Sequence, residues 1–274
     1  MSLVSGFREN SPLLRSSHPL SDDAIRSVAP SIFAEEAHTS RSARYAYIPT
    51  AAVLGQLRRE GFQPFMVCQT RVRQEGRRAF TKHMLRLRHE TQVHGREANE
   101  IILLNSHDGS SSYQMLAGVF RFVCENGLVV GDTSADIRVP HKGDIMTSVV
   151  EGAYAVLEST RLVEERREAM QALTLDAGEQ QVFARAALAL KYEEGKPAPI
   201  TESDVLTPRR RDDQQPDLWS VFNRTQENLI KGGLRGRNAR GKRQTTRPVQ
   251  GIDQGIRLNR ALWLLADGMQ KLKG

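Results

Sequence analysis

The side chains best suited to chemistry in this sequence are the cations of residues 231–247, KGGLRGRNARGKRQTTR. The stretch carries seven lysines and arginines, four glycines and no acid. Such cations bind phosphate oxygens, and each phosphate they neutralise releases counterions, so the stretch predicts contact with a polyanion. It lies between two amphipathic patterns that each hold one tryptophan, Trp219 and Trp263. The alternative is a solvated, flexible loop insert. The cations predicted to bind nucleic acid here are Lys231, Arg235, Arg237, Arg240, Lys242, Arg243 and Arg247.

A second group of cations lies on two predicted strands. Along residues 79–89, a period of two places Lys82, Arg86 and Arg88 on one face. Arg71 and Arg73 likewise share a face of the preceding strand. Two paired strands with such rows predict a flat positive platform that follows a phosphate backbone. The alternative is a sheet face that pairs with acids of a helix at residues 144–171.

The histidines do not predict a metal site. His83, His89, His94 and His107 fall within a short span, but a metal needs three or four ligands that converge on one point. His83 and His89 share a strand face, yet about 20 Å of strand separates them. Buried, hydrogen-bonded or exposed histidines are the expectation, and no metal or cofactor is predicted.

Enzymatic chemistry finds little support in the sequence. Glu100 and Asp108 are the carboxylates that a metal-dependent nuclease would use, without a recognisable nuclease pattern around them. No phosphate-binding glycine loop with a following Lys-Ser/Thr and no nucleophile elbow occurs. We therefore assign no catalytic residue.

Two polar groups near the basic stretch admit two interpretations. Asn223, Gln226 and Asn228 offer hydrogen bonds to bases or to the protein's own backbone. In residues 209–213, RRRDD, the two acids are placed to neutralise some of the arginines. Bracing of the fold is at least as good an explanation as ligand binding for both groups.

These residues require elements that hold them in place. Apolar and β-branched runs at residues 65–73, 79–89, 99–106, 118–124 and 128–133 predict strands. Helical periodicity follows at residues 145–173, 178–192, 201–206, 217–231 and 252–272. The pattern predicts an α+β protein with an antiparallel sheet in residues 62–133 packed against C-terminal amphipathic helices in residues 144–272.

The organisation predicted is a loose arm in residues 1–40, with short helical turns, followed by one domain in residues 41–274. A hydrophobic fraction of 39% and a charged fraction of 26% are typical of a globular, water-soluble protein. No apolar run reaches the length of a membrane helix, and the N-terminus lacks the apolar core of a signal peptide. Only Cys68 and Cys124 are present, which excludes a disulfide framework. A cytoplasmic location is expected.

Charge is unevenly distributed along the chain. Residues 41–100 carry twelve basic and five acidic side chains, and residues 205–274 carry fifteen and six. Residues 101–204 between them carry nine basic and sixteen acidic side chains. Two basic blocks therefore flank an acidic middle, and they form one positive surface only if the fold brings them together.

Several of these stretches carry a family resemblance. RYAYIPT at 44–50, FTKHMLRLRH at 80–89, EIILLNSHDGSSSYQML at 100–116, FRFVCENGLVV at 120–130, LWSVFNRTQENLIKGGL at 218–234 and LNRALWLLADG at 258–268 resemble the DUF932 proteins. That family includes the UPF0380 proteins of plasmids and prophages. The resemblance implies a domain of unknown function carried on mobile genetic elements, and it supplies no catalytic residue. The order of three strands and a helix is also similar to the core of Rad52-type single-strand annealing proteins, a fold-level analogy.

The leading hypothesis is a DNA-binding protein that favours single strands and holds their backbone between the platform and the basic stretch. Its most specific version is annealing of complementary strands in recombination, which predicts a homo-oligomeric ring or filament. One alternative is an anti-defence protein whose basic stretch binds an acidic host protein. Another is the metal-dependent nuclease that uses Glu100 and Asp108.

Overall fold

The structure is a computed structural model that describes residues 13–41, 45, 47–72, 74–93, 97–122, 126–130, 137–138, 145–192 and 197–273. The chain divides into two compact units. The first, here the sheet unit, comprises Met1–Leu128 and Thr133–Thr160. The second, here the helical unit, comprises Val129–Asp132 and Arg161–Gly274.

An antiparallel sheet forms the centre of the sheet unit. Its first six strands lie side by side in chain order, and the seventh pairs with the fifth. The strands are β1 (Leu13–Arg15), β2 (Phe62–Gln69), β3 (His83–His89), β4 (Glu97–Asn105), β5 (Gln114–Arg121), β6 (Asn126–Val129) and β7 (Ile137–Arg138).

The register of the sheet sorts its side chains onto two faces. One row across five strands is entirely apolar and buried: Leu14, Val67, Leu85, Leu103 and Met115. The next row, on the opposite face, runs through Arg15, Met66, Arg86, Ile102 and Leu116. Every residue of β3 from 83 to 88 is buried, so this strand is covered on both faces. A strand in that position has no outward face on which to display charge.

Short helices close the sheet unit. Helix α1 (Asp22–Val28) is capped by Ser21, whose hydroxyl accepts a hydrogen bond from the Ala24 backbone amide at 3.2 Å. Helix α2 (Thr50–Arg59) buries Val53, Leu54 and Leu57. The edge of the Phe62 ring contacts Tyr154, 5.7 Å between centroids, which brings the start of α3 (Ile145–Ala172) onto the same core.

Within residues 13–33, part of the loose arm expected from the sequence, the chain forms a strand and two short helices. Strand β1 pairs with β2, and Ile25, Ala29 and Ile32 are fully buried. Since these apolar side chains leave water inside the sheet unit, the segment contributes to its core.

Four further helices form the helical unit together with the end of α3. They are α4 (Ala177–Lys191), α5 (Glu202–Leu206), α6 (Leu218–Lys231) and α7 (Ile252–Lys273). Asp176 and Glu179 form a capping box at the start of α4, and Asp217 caps α6. Trp263 of α7 contacts Trp219 and Phe222 of α6, with ring centroids 6.5 Å and 6.2 Å apart. These helices agree with the sequence prediction to within two residues.

The α+β class is confirmed, with an antiparallel sheet in the N-terminal half and helices in the C-terminal half. One feature of the helical unit was not predicted. Between α6 and α7, the basic stretch forms a second, two-stranded sheet of β8 (Arg235–Arg237) and β9 (Arg243–Thr245). We call these strands and their connecting turn the basic hairpin.

Candidate nucleic-acid interface

The basic hairpin places arginines side by side. Its register pairs Arg235 with Thr245, Gly236 with Gln244 and Arg237 with Arg243. Residues paired in an antiparallel ladder share a face, and so do residues two apart on a strand. Arg235, Arg237 and Arg243 therefore lie on one face, and Gly236 lies on the other.

The turn of the hairpin depends on Asn238. Its side-chain oxygen accepts hydrogen bonds from the backbone amides of Arg240, at 3.0 Å, and Lys242, at 3.1 Å. The backbone amide of Asn238 donates to the Lys242 carbonyl at 3.0 Å. Gly241 adopts a φ of 72°, which glycine tolerates without strain. An asparagine that bonds its own following backbone is a recognised turn former.

The base of the hairpin is fastened to the end of α6. Gly232 ends that helix with a φ of 60°, and a Cβ there would lie 2.6 Å from the backbone carbon of Arg247. The Gly233 amide donates to the Thr246 carbonyl at 2.9 Å, and the Thr246 hydroxyl accepts from the Leu234 amide at 3.0 Å. These bonds continue the ladder to the helix and hold both ends of the hairpin.

The second face of the hairpin rests on the segment before α5. A Cβ at Gly236 would lie 1.8 Å from the Pro199 carbonyl oxygen, so only glycine allows this approach. The Arg237 amide donates to the same carbonyl at 2.8 Å. The contact fixes which face is covered, and it leaves the arginine face to solvent.

Six cations of the basic stretch are exposed to solvent. In the described part of the chain, none of them forms an ion pair with a carboxylate; the hydrogen bond from Arg237 to the Gly241 carbonyl, 2.8 Å, is a contact within the turn. Like charges on one face repel unless a counter-charge approaches them. The arrangement is suited to bind an anion with several charges. The six exposed cations are Arg235, Arg237, Arg240, Lys242, Arg243 and Arg247.

Lys231, the seventh predicted cation, belongs to a different group. It lies at the end of α6, half-buried, with its ammonium 2.9 Å from Glu227. Arg210 approaches the same carboxylate at 2.7 Å. Burial opposes ionisation of Glu227, but hydrogen bonds from Arg210 and Lys231 lower its pKa below the ordinary value. The charge of Lys231 is thus largely matched inside the helical unit.

The sheet arginines contradict the predicted platform. Arg86 is 5% exposed and Arg88 is 1% exposed, and both bind Glu100, at 2.5 Å and 2.9 Å respectively. The prediction that these two arginines form an exposed row is wrong, because both faces of β3 are covered. The acid that pairs with them is on the neighbouring strand β4, not on the helix at residues 144–171 that the alternative required.

Aromatic rings and backbone carbonyls complete the surroundings of this triad. The Arg88 guanidinium lies 3.8 Å from the ring centroid of Phe120 and 4.4 Å from that of Phe65, cation–π distances. Burial lowers the pKa of Arg88, and the charge of Glu100 opposes the shift. Arg86 also donates to the Leu128 carbonyl at 2.5 Å. A guanidinium enclosed in this way serves the core and cannot reach a phosphate.

The remaining sheet cations are less informative. Arg71 is exposed and Lys82 is half-buried. Arg73 lies outside the described residues. The predicted platform therefore loses Arg86 and Arg88, which are buried. The basic hairpin becomes the better candidate for a nucleic-acid-binding surface.

The histidines form part of a buried polar cluster. His83 is fully buried, with Nδ1 2.8 Å from the Ser31 hydroxyl and Nε2 3.0 Å from the Thr50 hydroxyl. His107, also fully buried, lies 5.3 Å from it between ring centroids, and neither of its ring nitrogens has a hydrogen-bond partner in the described structure. Among the residues described, no three His, Cys, Asp or Glu side chains converge on a metal site. His94 lies outside those residues.

The two carboxylates of the nuclease hypothesis, Glu100 and Asp108, already have partners within the protein. Both oxygens of Glu100 are bound by guanidinium groups. Asp108 is half-buried and accepts the Ser110 amide at 2.9 Å; burial opposes its ionisation, but hydrogen bonds from Ser110 and Ser106 lower its pKa. Glu100 has no free oxygen for a metal, so this hypothesis loses one of its two ligands.

The polar residues of α6 brace the fold. Asn228 donates to the Val205 carbonyl at 2.9 Å, and Gln226 donates to Asn259 at 2.7 Å. Asn223 bonds the Trp219 carbonyl one turn back, at 2.7 Å. Within residues 209–213, Arg210 pairs with Asp213 at 2.9 Å, as the sequence suggested. Ligand binding is not needed to explain any of these residues.

Three residues that shape the hairpin were not singled out from the sequence. They are Pro199, Gly236 and Asn238, and none of them is charged. Asn238 and Gly241, three residues apart, are both turn-forming residue types. The approach of Pro199 to Gly236 joins residues distant in the chain, and no local pattern reveals it.

Comparison with known proteins places the chain in a family. The family model described as "Domain of unknown function (DUF932)" matches residues 37–263, so the chain belongs to the DUF932 family. It is similar to the UPF0380 protein YafZ of Escherichia coli strain K12, with 56% identity over 257 residues and 94% of each chain covered. It is equally similar to the UPF0380 protein YfjQ of that strain, with 56% identity over 255 residues and 93% of each chain covered. No solved structure matches.

In the part of the chain that is described, no helix has the length and apolar character needed to span a bilayer.

Proposed function

We propose that this member of the DUF932 family binds nucleic acid through the exposed face of its basic hairpin. The observation that carries the proposal is the face itself: three arginines presented together, with no carboxylate partner in the described structure. Arginine forks match phosphate oxygens in geometry as well as in charge. A setting on plasmids or prophages, inferred from the family, is consistent with a protein that handles DNA.

The mounting of the hairpin supports binding rather than solvation. A loop that only separates two helices needs no fixed orientation, whereas this one is bonded at its base, its turn and its covered face. A cationic surface held in one orientation loses less entropy when it binds than a flexible one does. Rigid mounting therefore favours a ligand-binding role.

Preference for single strands, and annealing with its ring or filament, stay predictions without this support. They depended on a platform that includes Arg86 and Arg88, and these arginines are buried with Glu100. The nuclease hypothesis is not retained, since Glu100 is already bound.

A gel-shift series against salt tests the proposal. Single- and double-stranded DNA are titrated with the wild-type protein and with a variant in which Arg235, Arg237 and Arg240 are all changed to Ala. Wild-type affinity should fall steeply with salt, by about 10³-fold or more between 50 and 200 mM if six phosphates are contacted. The variant should bind weakly at every salt concentration. Affinity that does not respond to salt would remove the proposal.

The same face also fits an acidic protein, and a pull-down separates the two ligands. Host lysate is passed over the immobilised protein with and without nuclease treatment. Loss of the captured material after nuclease supports nucleic acid. A protein that stays bound after nuclease, and that the triple variant fails to capture, would replace nucleic acid with a protein ligand.

A further inference from the structure

We infer that the basic hairpin is a two-stranded ribbon that enters the major groove of B-form DNA and contacts base edges with its arginines. This inference rests on the proposed function and specifies its ligand. It differs from the expectation of single-strand binding that the sequence raised.

The dimensions of the hairpin match the groove. Paired strands lie about 4.8 Å apart, and a major groove about 12 Å wide admits a two-stranded ribbon with its side chains. The minor groove, about 6 Å wide, does not admit it. Strands of three residues with an exposed turn, Arg235–Arg237 and Arg243–Thr245, form such a ribbon.

The side chains of the exposed face match what the groove displays. Arg237 and Arg243 lie directly opposite each other, with Arg235 on the same face. An arginine fork forms two hydrogen bonds with the O6 and N7 acceptors of guanine, the commonest specific contact to a base. Arg240 and Lys242 lie in the turn at the end of the hairpin, where they could contact flanking phosphates.

The composition of the hairpin argues against single strands. Proteins that hold single-stranded nucleic acid stack bases on aromatic side chains. Residues 232–247 contain no Phe, Tyr, Trp or His. The hairpin therefore offers cations and hydrogen-bond donors but no ring on which a base stacks.

Duplex RNA is a poor ligand for the hairpin because its major groove differs in width from that of B-form DNA. The major groove of A-form RNA is deep and narrow, and side chains do not read it. A ribbon reader should thus distinguish duplex DNA from duplex RNA of the same sequence, which simple phosphate neutralisation would not do.

Fluorescence anisotropy with the full chain tests the inference. The probes are a guanine-containing DNA duplex of about 20 base pairs, long enough to present two helical turns, the corresponding RNA duplex, and each DNA strand alone. Affinity for duplex DNA should exceed the others by about tenfold or more at the same salt, as expected for one good base contact. Equal or tighter binding of single strands or of duplex RNA would overturn the inference.

Two further measurements locate the contact. Replacing guanine with 7-deazaguanine removes the N7 acceptor and should weaken wild-type binding about tenfold. Methyl green, a major-groove ligand, should compete with the protein, and the minor-groove ligand netropsin should not. An unchanged affinity for the 7-deazaguanine duplex, or competition by netropsin alone, would overturn the inference.

A matched variant separates charge from geometry. Changing Arg237 and Arg243 to Lys keeps both charges but removes the forks. This variant should keep the salt dependence of the wild type and lose its discrimination between guanine and 7-deazaguanine. If the wild type binds none of the probes at any salt, the proposed function fails as well; if it binds them all equally, only the groove inference fails.

Discussion

Glu100 binds two guanidinium groups in the interior of the sheet unit, one through each carboxylate oxygen. The triad carries one net positive charge, and Phe65 and Phe120 face it with the negative surfaces of their rings. Taking charges out of water costs several kcal/mol per ion unless each finds partners. Glu100, the two rings and the Leu128 carbonyl offset part of this cost, so the triad depends on the carboxylate that binds both guanidinium groups.

Changing Glu100 to Gln should destabilise the protein by about 3–5 kcal/mol, since two buried guanidinium groups lose their counter-charge. Urea unfolding at neutral pH measures the loss. The control is Glu202→Gln, which removes an exposed pair with Arg185, a side chain 75% exposed, and should cost about 1 kcal/mol or less. Equal losses in the two variants would contradict the structural role given to Glu100.

The buried histidines predict a loss of stability in acid. Burial lowers the pKa of His83 to about 3 and that of His107 to about 4, so both are neutral in the folded protein near pH 5. In the unfolded chain they gain protons below about pH 6.5. The unfolding free energy should therefore fall as the pH drops from 6.5 towards 4, by up to about 1.4 kcal/mol per pH unit for each histidine.

Unfolding measured from pH 7.5 to 4.5 checks this in the wild type, His83→Gln and His107→Gln. Each variant should lose one histidine's share of the slope, while carboxylates contribute alike to all three proteins. His18→Gln, at an exposed position, controls for the loss of a histidine as such. A wild-type slope in both buried-site variants would show that the histidines titrate normally.

At the scale of elements, the orientation of the basic hairpin depends on its glycine contact with Pro199. In Gly236→Ala, the added methyl group would lie only 1.8 Å from the Pro199 carbonyl oxygen. The hairpin would have to shift to relieve this clash. We expect a stability loss of about 1–3 kcal/mol and weaker DNA binding. Limited trypsin digestion adds a direct readout, since a displaced hairpin should be cleaved faster at its arginines.

Gly268→Ala is the matched control for this change. Position 268 lies within α7 with no atom within 4 Å of the added methyl group. Alanine should stabilise that helix by about 0.5–1 kcal/mol and leave hairpin cleavage unchanged. Faster cleavage in the control would show that trypsin sensitivity reports general unfolding.

The helices were predictable and the hairpin was not, for a physical reason. Helices α4 and α6 carry local signals, Asp176 with Glu179 and Asp217, that set their first turns. The hairpin has strands of three residues, too short for an alternating apolar pattern, and it is held by Pro199 from another segment. The alternation on β3 correctly separated Arg86 and Arg88 from Leu85 and Leu87, but it did not show that both faces are buried.

At the scale of the whole molecule, the net charge of +7 could attract a polyanion by itself. A test must therefore separate the arginines of the hairpin from the overall charge. Changing Arg235, Arg237 and Arg243 to Ala should reduce the slope of log affinity against log salt by about 0.9 for each phosphate that the protein no longer neutralises. Since all three are exposed, the unfolding free energy should change by only about 0.5 kcal/mol per substitution.

A second triple variant controls for charge alone. Arg59, Arg161 and Arg257 are exposed arginines outside the hairpin, and changing all three to Ala removes the same net charge. This variant should retain most of the wild-type salt slope. If both triple variants reduce the slope equally, binding follows overall charge and the hairpin has no special role.

The pairing of Arg237 with Arg243 has a practical consequence for anyone who purifies this protein. Two arginines held opposite each other on paired strands repel until a counterion binds, so a bound polyanion should raise the melting temperature. Protein isolated at low salt without nuclease should then carry host nucleic acid, visible as excess absorbance at 260 nm. Washing at high salt should remove that absorbance and lower the melting temperature together.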